Sequence, residues 1–150
     1  LLAHKRPVKD VDYGFVGDVD KGNLNTLATL LSAGIIPVMA PLTHDGKGNL
    51  LNTNADTIAA ETAKTLAKEY DVTLIYAFEK PGVLSNPDDD DSVIPLITAE
   101  SYEQLKADGI VSGGMLPKID NAYNAINAGV KAVIITKADA IDGTHGTKII

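Results

Sequence analysis

The chain has 150 residues, 45% of them hydrophobic, with a formal net charge of −7 and a single arginine, Arg6. That length supports one packed core rather than several, and so acidic a chain lacks the basic surface that grips a nucleic-acid backbone or an anionic membrane. With no cysteine, a disulfide framework, a reactive thiol and a cysteine-ligated metal are all excluded.

Leu1-Leu2-Ala3-His4-Lys5-Arg6 lacks the architecture of a signal peptide. Leu1 is not an initiator methionine and opens directly into strand or loop, so a missing N-terminal piece is expected. Asn23 to Ala33, with leucines at 24, 27, 30 and 31 and a stop at Gly34, predicts a helix packing one face on a sheet. Ile35 to Ala40 has the length and β-branched character of a buried strand, as do Val72 to Ala77 and Lys131 to Thr136. In Leu42 to Leu51 the Asp45-Gly46 and Gly48-Asn49 pairs mark a hairpin. Thr57 to Tyr70 puts Ala59, Ala63, Leu66, Ala67 and Tyr70 on one helical face. Ala99 to Asp108 reads as a helix ended by Gly109, and Pro117 to Ala128 as one with proline near its start and Gly129 at its stop. The alternation predicts an α/β fold, a mostly parallel sheet sandwiched between helices and joined by right-handed crossovers. Apolar runs such as Ala132 to Thr136 are far shorter than a bilayer span, so neither membrane nor nucleic acid is an expected partner.

The segment Gly109-Ile110-Val111-Ser112-Gly113-Gly114-Met115-Leu116-Pro117-Lys118 runs a double glycine into a helix start. Unpaired amides and the positive end of the helix dipole both favour an anion there. Lys118 stands in the first turn, where the dipole disfavours a cation, so a bound phosphate explains it; a solvated lysine beside an ordinary glycine turn is the other reading. Asn52-Thr53-Asn54-Ala55-Asp56 groups short polar side chains before a helix. One of them can be the cap, and a strand-to-helix junction of this kind is where ligands bind in open α/β sheets. Tyr76 to Leu84 turns at Pro81-Gly82 on the same ligand-bearing edge. The run Asp88 to Asp91 reads as a solvated loop, because contiguous carboxylates point apart and repel. His4, His44 and His145 have no zinc-ligand spacing, and no metal ligands are assigned. Neither a P-loop nor a Gly-x-Gly-x-x-Gly fingerprint is present.

In order, Tyr13-Gly14-Phe15-Val16-Gly17-Asp18-Val19, Ile36-Pro37-Val38-Met39-Ala40-Pro41, Asn52 to Asp56, Pro81-Gly82-Val83-Leu84 and Ser112 to Lys118 resemble successive motifs of the acetylglutamate kinases, in the amino acid kinase family. The resemblance runs from about Val11 to Ile150. It implies that residues 1–150 are the C-terminal, nucleotide-binding part of a single domain whose N-terminal, substrate-binding part is not present. The implied reaction is ATP-dependent phosphorylation of the side-chain carboxylate of an N-acyl-L-glutamate. ATP and the acylated glutamate are the implied small-molecule partners, with Mg2+ carried by the nucleotide, in a cytoplasmic homo-oligomer of at least two chains. Lys118 is thereby assigned to the transferring phosphoryl group, Asp56 to organising the catalytic lysines, and Asn52 to the acyl amino acid, with Asn54 beside it. Gly113, Gly114 and the strand end at Phe78 and Glu79 are assigned to the nucleotide. The family usually has Ser or Thr followed by Asp where this chain has Phe78-Glu79, and the stretch Thr136 to Gly146 is short. Competing readings are a relative acting on aspartate, glutamate, carbamate or uridylate, and a non-catalytic nucleotide-binding or ligand-sensing domain.

Overall fold

A computed structural model describes residues 1–150, which divide into two compact units, Leu1–Tyr70 and Asp71–Ile150. In the first, β1 (Leu2–Lys5) lies antiparallel to β2 (Gly17–Lys21) and is joined by a parallel pair to β3 (Leu42–His44), which forms a hairpin with β4 (Leu50–Asn52). The sheet order is β2-β1-β3-β4. The hairpin is where Asp-Gly and Gly-Asn place it. Asp45 stabilises its turn by accepting from the Asn49 side-chain amide at 2.7 Å and the Lys47 amide at 2.8 Å, which hold its carboxyl below the usual range. Helices α1 (Leu24–Ser32) and α2 (Ala55–Leu66) complete the unit.

Two expectations fail here. Ile35 to Ala40 is not a buried strand: it pairs with no strand of this chain, and Ile36 and Val38 are 85% and 95% exposed. β-branched residues specify a strand only where a neighbour completes the ladder and covers the face, and this segment has neither. The buried face of α2 is Ile58, Ala60, Ala63 and Thr65, and Tyr70 falls beyond the helix on the surface. Two small residues on that face let α2 lie close, and the face that the periodic alanines predict lies part of a turn away.

The second unit has the sheet order β5-β7-β8-β6. Strand β5 (Thr73–Phe78) is parallel to β7 (Ala132–Lys137), β7 is antiparallel to β8 (Thr147–Ile149), and β8 is parallel to β6 (Leu96–Ile97). Strand β7, Ala-Val-Ile-Ile-Thr-Lys, is buried along its first five residues, as a central strand covered on both faces must be. The core joins Val133, Ile135, Ile97 and Ile149 to Ile119, Ala122 and Ala125. Those last three lie on α4 (Met115–Asn127), which starts two residues before Pro117. Helix α3 (Ala99–Ala107) begins with a capping box, Thr98 and Ser101 exchanging side-chain-to-backbone bonds. The α/β class is as expected, with parallel and antiparallel pairs in both sheets.

Candidate functional site

The sequence-derived residues fall into two clusters. Asn52, Asn54 and Asp56 lie in the first unit. Asn52 is exposed and ends β4, its amide donating to the Phe15 carbonyl at 2.7 Å; the strand's ladder is the antiparallel hairpin, with one parallel bridge between Val16 and Asn52. Thr53 is buried, its hydroxyl bonded to the Gly17 carbonyl at 3.1 Å and paired with Thr43 at 3.0 Å, so it anchors the junction. Asn54 is the N-cap of α2, accepting from the Asp56 and Thr57 amides at 2.8 and 3.2 Å. Asp56, half-buried in the first turn of α2, sits where the helix dipole favours a carboxylate. Capping thus accounts for Asn54, packing for Thr53 and the helix dipole in part for Asp56, while the side chain of Asn52 lies exposed at the end of β4.

The second cluster gathers at the carboxyl end of β5, where Phe78 pairs with Lys137 of the parallel neighbour. Helix α4 starts beside it. Its N-cap, Gly114, makes no side-chain capping bond, and its first turn carries no acidic residue. Gly113 has φ +55°, a conformation that favours glycine, and a Cβ at either glycine would meet nothing within 4 Å. Open space in front of a helix start without a capping side chain is the geometry that an anion exploits. Lys118, half-buried in that turn, has its ammonium 5.8 Å from the Phe78 ring centroid and 5.9 Å from that of Tyr76. The sequence thus brings Lys118, Phe78, Gly113 and Gly114 to one place, and Glu79 lies exposed in the turn that follows β5.

Two features of this cluster were not foreseen. Tyr76 joins Phe78 under Lys118, and its only signal in the sequence was the two-residue spacing that puts both on one strand face. Thr147 holds the Pro81-Gly82 turn: its hydroxyl accepts from the Val83 amide at 2.8 Å, and a Cβ on Gly82 would come within 2.8 Å of that same oxygen. Beside the turn, Lys80, Val83, Leu84, Pro87, Ser112 and Met115 line most of a cleft of about 160 Å³. Elsewhere, the Asp88 to Asp91 run is exposed, with Asp90 paired to Lys80 at 2.8 Å, and no helix is long and apolar enough to cross a membrane.

Comparison with known proteins gives this arrangement a context. The chain is 64% identical over 149 residues to the acetylglutamate kinase of Phocaeicola vulgatus, covering 99% of this chain and 58% of that protein. It is 38% identical to the acetylglutamate kinase of Methanopyrus kandleri, with 98% and 60% covered. The chain therefore spans about three-fifths of the length of such relatives. Among solved structures, N-acetylglutamate synthase from Neisseria gonorrhoeae complexed with coenzyme A and L-arginine superposes with a TM-score of 0.82 at 27% identity, covering 99% of this chain and 36% of that one. Carbamate kinase from Giardia lamblia bound to AMP-PNP shares the fold at 23% identity and a TM-score of 0.59, over 85% and 48% of the two chains. The sequence profile of the amino acid kinase family matches residues 2–137, and the chain belongs to that family.

Proposed function

We propose that the chain is the C-terminal, nucleotide-binding part of an acetylglutamate kinase, which transfers the γ-phosphoryl group of ATP to the side-chain carboxylate of an N-acyl-L-glutamate in arginine biosynthesis. The observation that carries this reading is Lys118 in the first turn of α4, beside the open Gly113-Gly114 start and at the carboxyl end of β5. The 64% identity to an acetylglutamate kinase favours this acceptor over those of more distant relatives. Exposed Ile36 and Val38 fit a domain to which further chain contributes a substrate-binding part.

A carboxylate is already ionised at neutral pH, so the reaction needs no strong base. It needs repulsion between anions offset and the reacting oxygens held in line. Lys118 and the amides of Gly113 and Gly114 would hold the phosphates, and the cleft beside Pro81-Gly82 would take the base. Developing charge on the phosphoryl oxygens would be met by the Lys118 ammonium, a preorganised cation that costs no reorganisation at the moment of transfer. Asp56 would orient cationic side chains, and Asn52 would bind the acyl amino acid. Mg2+ would enter carried by the nucleotide, where it would neutralise phosphate charge. A cytoplasmic homo-oligomer completes the reading.

The test separates binding from turnover. The 150-residue chain with Mg·ATP and N-acetylglutamate should form no acyl phosphate above background, yet should bind an ATP analogue in a way that Lys118→Ala weakens. Robust turnover by these residues alone would overturn the division of labour, and analogue binding elsewhere, near His44, would overturn the site.

A further inference from the structure

We propose that Tyr102 is a positioning residue for the Gly113-Gly114 start of α4: from α3, its hydroxyl braces the stretch of helix that carries Lys118. The consequence for phosphoryl transfer rests on the reading of Lys118 given above; the brace itself does not.

The start of α4 has little of its own to hold it. Gly113 and Gly114 bring no side chain, and no side-chain capping bond is made at Gly114. The chain enters the helix on two long bonds, from the Met115 amide to the Ser112 carbonyl at 3.2 Å and from the Leu116 amide to the Gly113 carbonyl at 3.3 Å. Tyr102, on α3, is only 3% exposed, and its hydroxyl donates to the Asp120 carboxylate at 2.8 Å while lying 3.3 Å from the Leu116 carbonyl. Leu116 and Asp120 stand two residues before and two after Lys118, which at about 3.6 residues per turn puts them on the far side of the helix from it. The brace therefore acts through the helix backbone and needs no contact with the ammonium. The tyrosine ring is fixed in turn, stacked on Tyr123 with centroids 5.5 Å apart and approached by the Lys106 ammonium at 4.4 Å. Phenylalanine would keep both ring contacts and fill the same space, so packing does not require the oxygen. A buried hydroxyl is costly unless it is bonded, and a directional bond fixes how far one helix slides along the other, which apolar contact leaves loose. Burial, then the bond to Asp120, raise the phenol above the usual tyrosine range, so it stays a donor at neutral pH.

In the catalytically active protein that contains this chain, Tyr102→Phe should lower kcat by about threefold to thirtyfold, less than the roughly hundredfold that a 1 Å misplacement can cost. KM for the acyl amino acid should stay within about twofold. Asp120→Ala should slow the enzyme similarly, the double variant should be no slower than the slower single one, and Asp120→Asn, which keeps an acceptor, should hold kcat within about twofold. An unchanged kcat in Tyr102→Phe, or losses that multiply in the double variant, would overturn the proposal. A second measurement needs no activity. In the 150-residue chain, Tyr102→Phe should speed hydrogen exchange at the Ile119 and Asp120 amides at least about threefold more than at those of Ala125 and Ile126, at the other end of α4. An equal increase along the whole helix would show general loss of stability and overturn the brace. A normal kcat in Lys118→Ala would instead overturn the kinase reading, and the exchange pattern then decides the brace by itself.

Discussion

Replacing Thr147 by valine keeps the shape of a fully buried side chain and removes one oxygen. That oxygen accepts from the amide of Val83, itself buried, at 2.8 Å. The substitution leaves the Val83 N–H without its partner inside the protein, and an orphaned buried donor costs about 1–3 kcal/mol. For a chain of this length each kcal/mol lowers Tm by about 2–4 °C, so a fall of roughly 2–12 °C is expected. Thr147→Ser is the control: it forfeits one buried methyl, about 1 kcal/mol, and keeps the acceptor. Thermal unfolding alone does not separate these two costs, and amide hydrogen exchange does. The Val83 amide should exchange much faster in Thr147→Val and stay protected in Thr147→Ser. Because Val83 lines the cleft beside Ser112 and Met115, affinity for an ATP analogue should fall with the valine and hold with the serine. A Thr147→Val chain with unchanged Tm and a protected Val83 amide would refute the reasoning.

Asn54→Ala removes a cap that holds two amides and should destabilise the first unit by about 0.5–2 kcal/mol in urea unfolding, with Asn54→Ser recovering most of the loss. Gly113→Ala meets no atom, so its cost is the left-handed backbone alone, about 1–2 kcal/mol, together with weaker binding of an ATP analogue measured by calorimetry. Lys118→Ala in the active protein should lower kcat by about 10²–10³, equivalent to roughly 2.7–4 kcal/mol, with a much smaller change in nucleotide affinity. A normal kcat with helix stability raised by about 0.3–1 kcal/mol would mark Lys118 as no more than a misplaced surface cation.

Local rules made much of this fold legible. The hairpin between β3 and β4 follows from Asp45-Gly46 and Gly48-Asn49, and β7 from an unbroken β-branched run. The start of α4 was legible only to within part of a turn. Proline lacks an N–H that the first helical positions leave unpaired anyway, so Pro117 is tolerated as the third residue and marks the turn rather than the residue. Burial was less legible, because it depends on what covers a segment: Ile35 to Ala40 and Lys131 to Thr136 are both short apolar runs, yet the first is largely exposed and the second buried from Ala132 onward, and only the first carries a proline. The candidate site divides the same way. Gly113, Gly114 and Lys118 announce themselves by the conflict between a cation and a helix start. Thr147 matters through a contact between elements distant in sequence, which no periodicity encodes, and for Tyr76 the two-residue spacing gives the strand face but not the helix that meets it.

The bare segment from Ile35 to Ala40 has a bearing on how the polypeptide behaves in a test tube. A run with exposed β-branched side chains and an unladdered backbone invites sticking between molecules, by which soluble protein is lost as concentration rises. Pro37 sits in its middle and Pro41 follows it. Each imino acid withholds the hydrogen that a stacking neighbour would need, so any ladder grown along this segment misses a rung where its most exposed side chains stand. The two prolines act as gatekeepers: greasy contact is permitted, fibrous stacking is interrupted, and a chain purified at high concentration should form dispersible clumps sooner than ordered filaments.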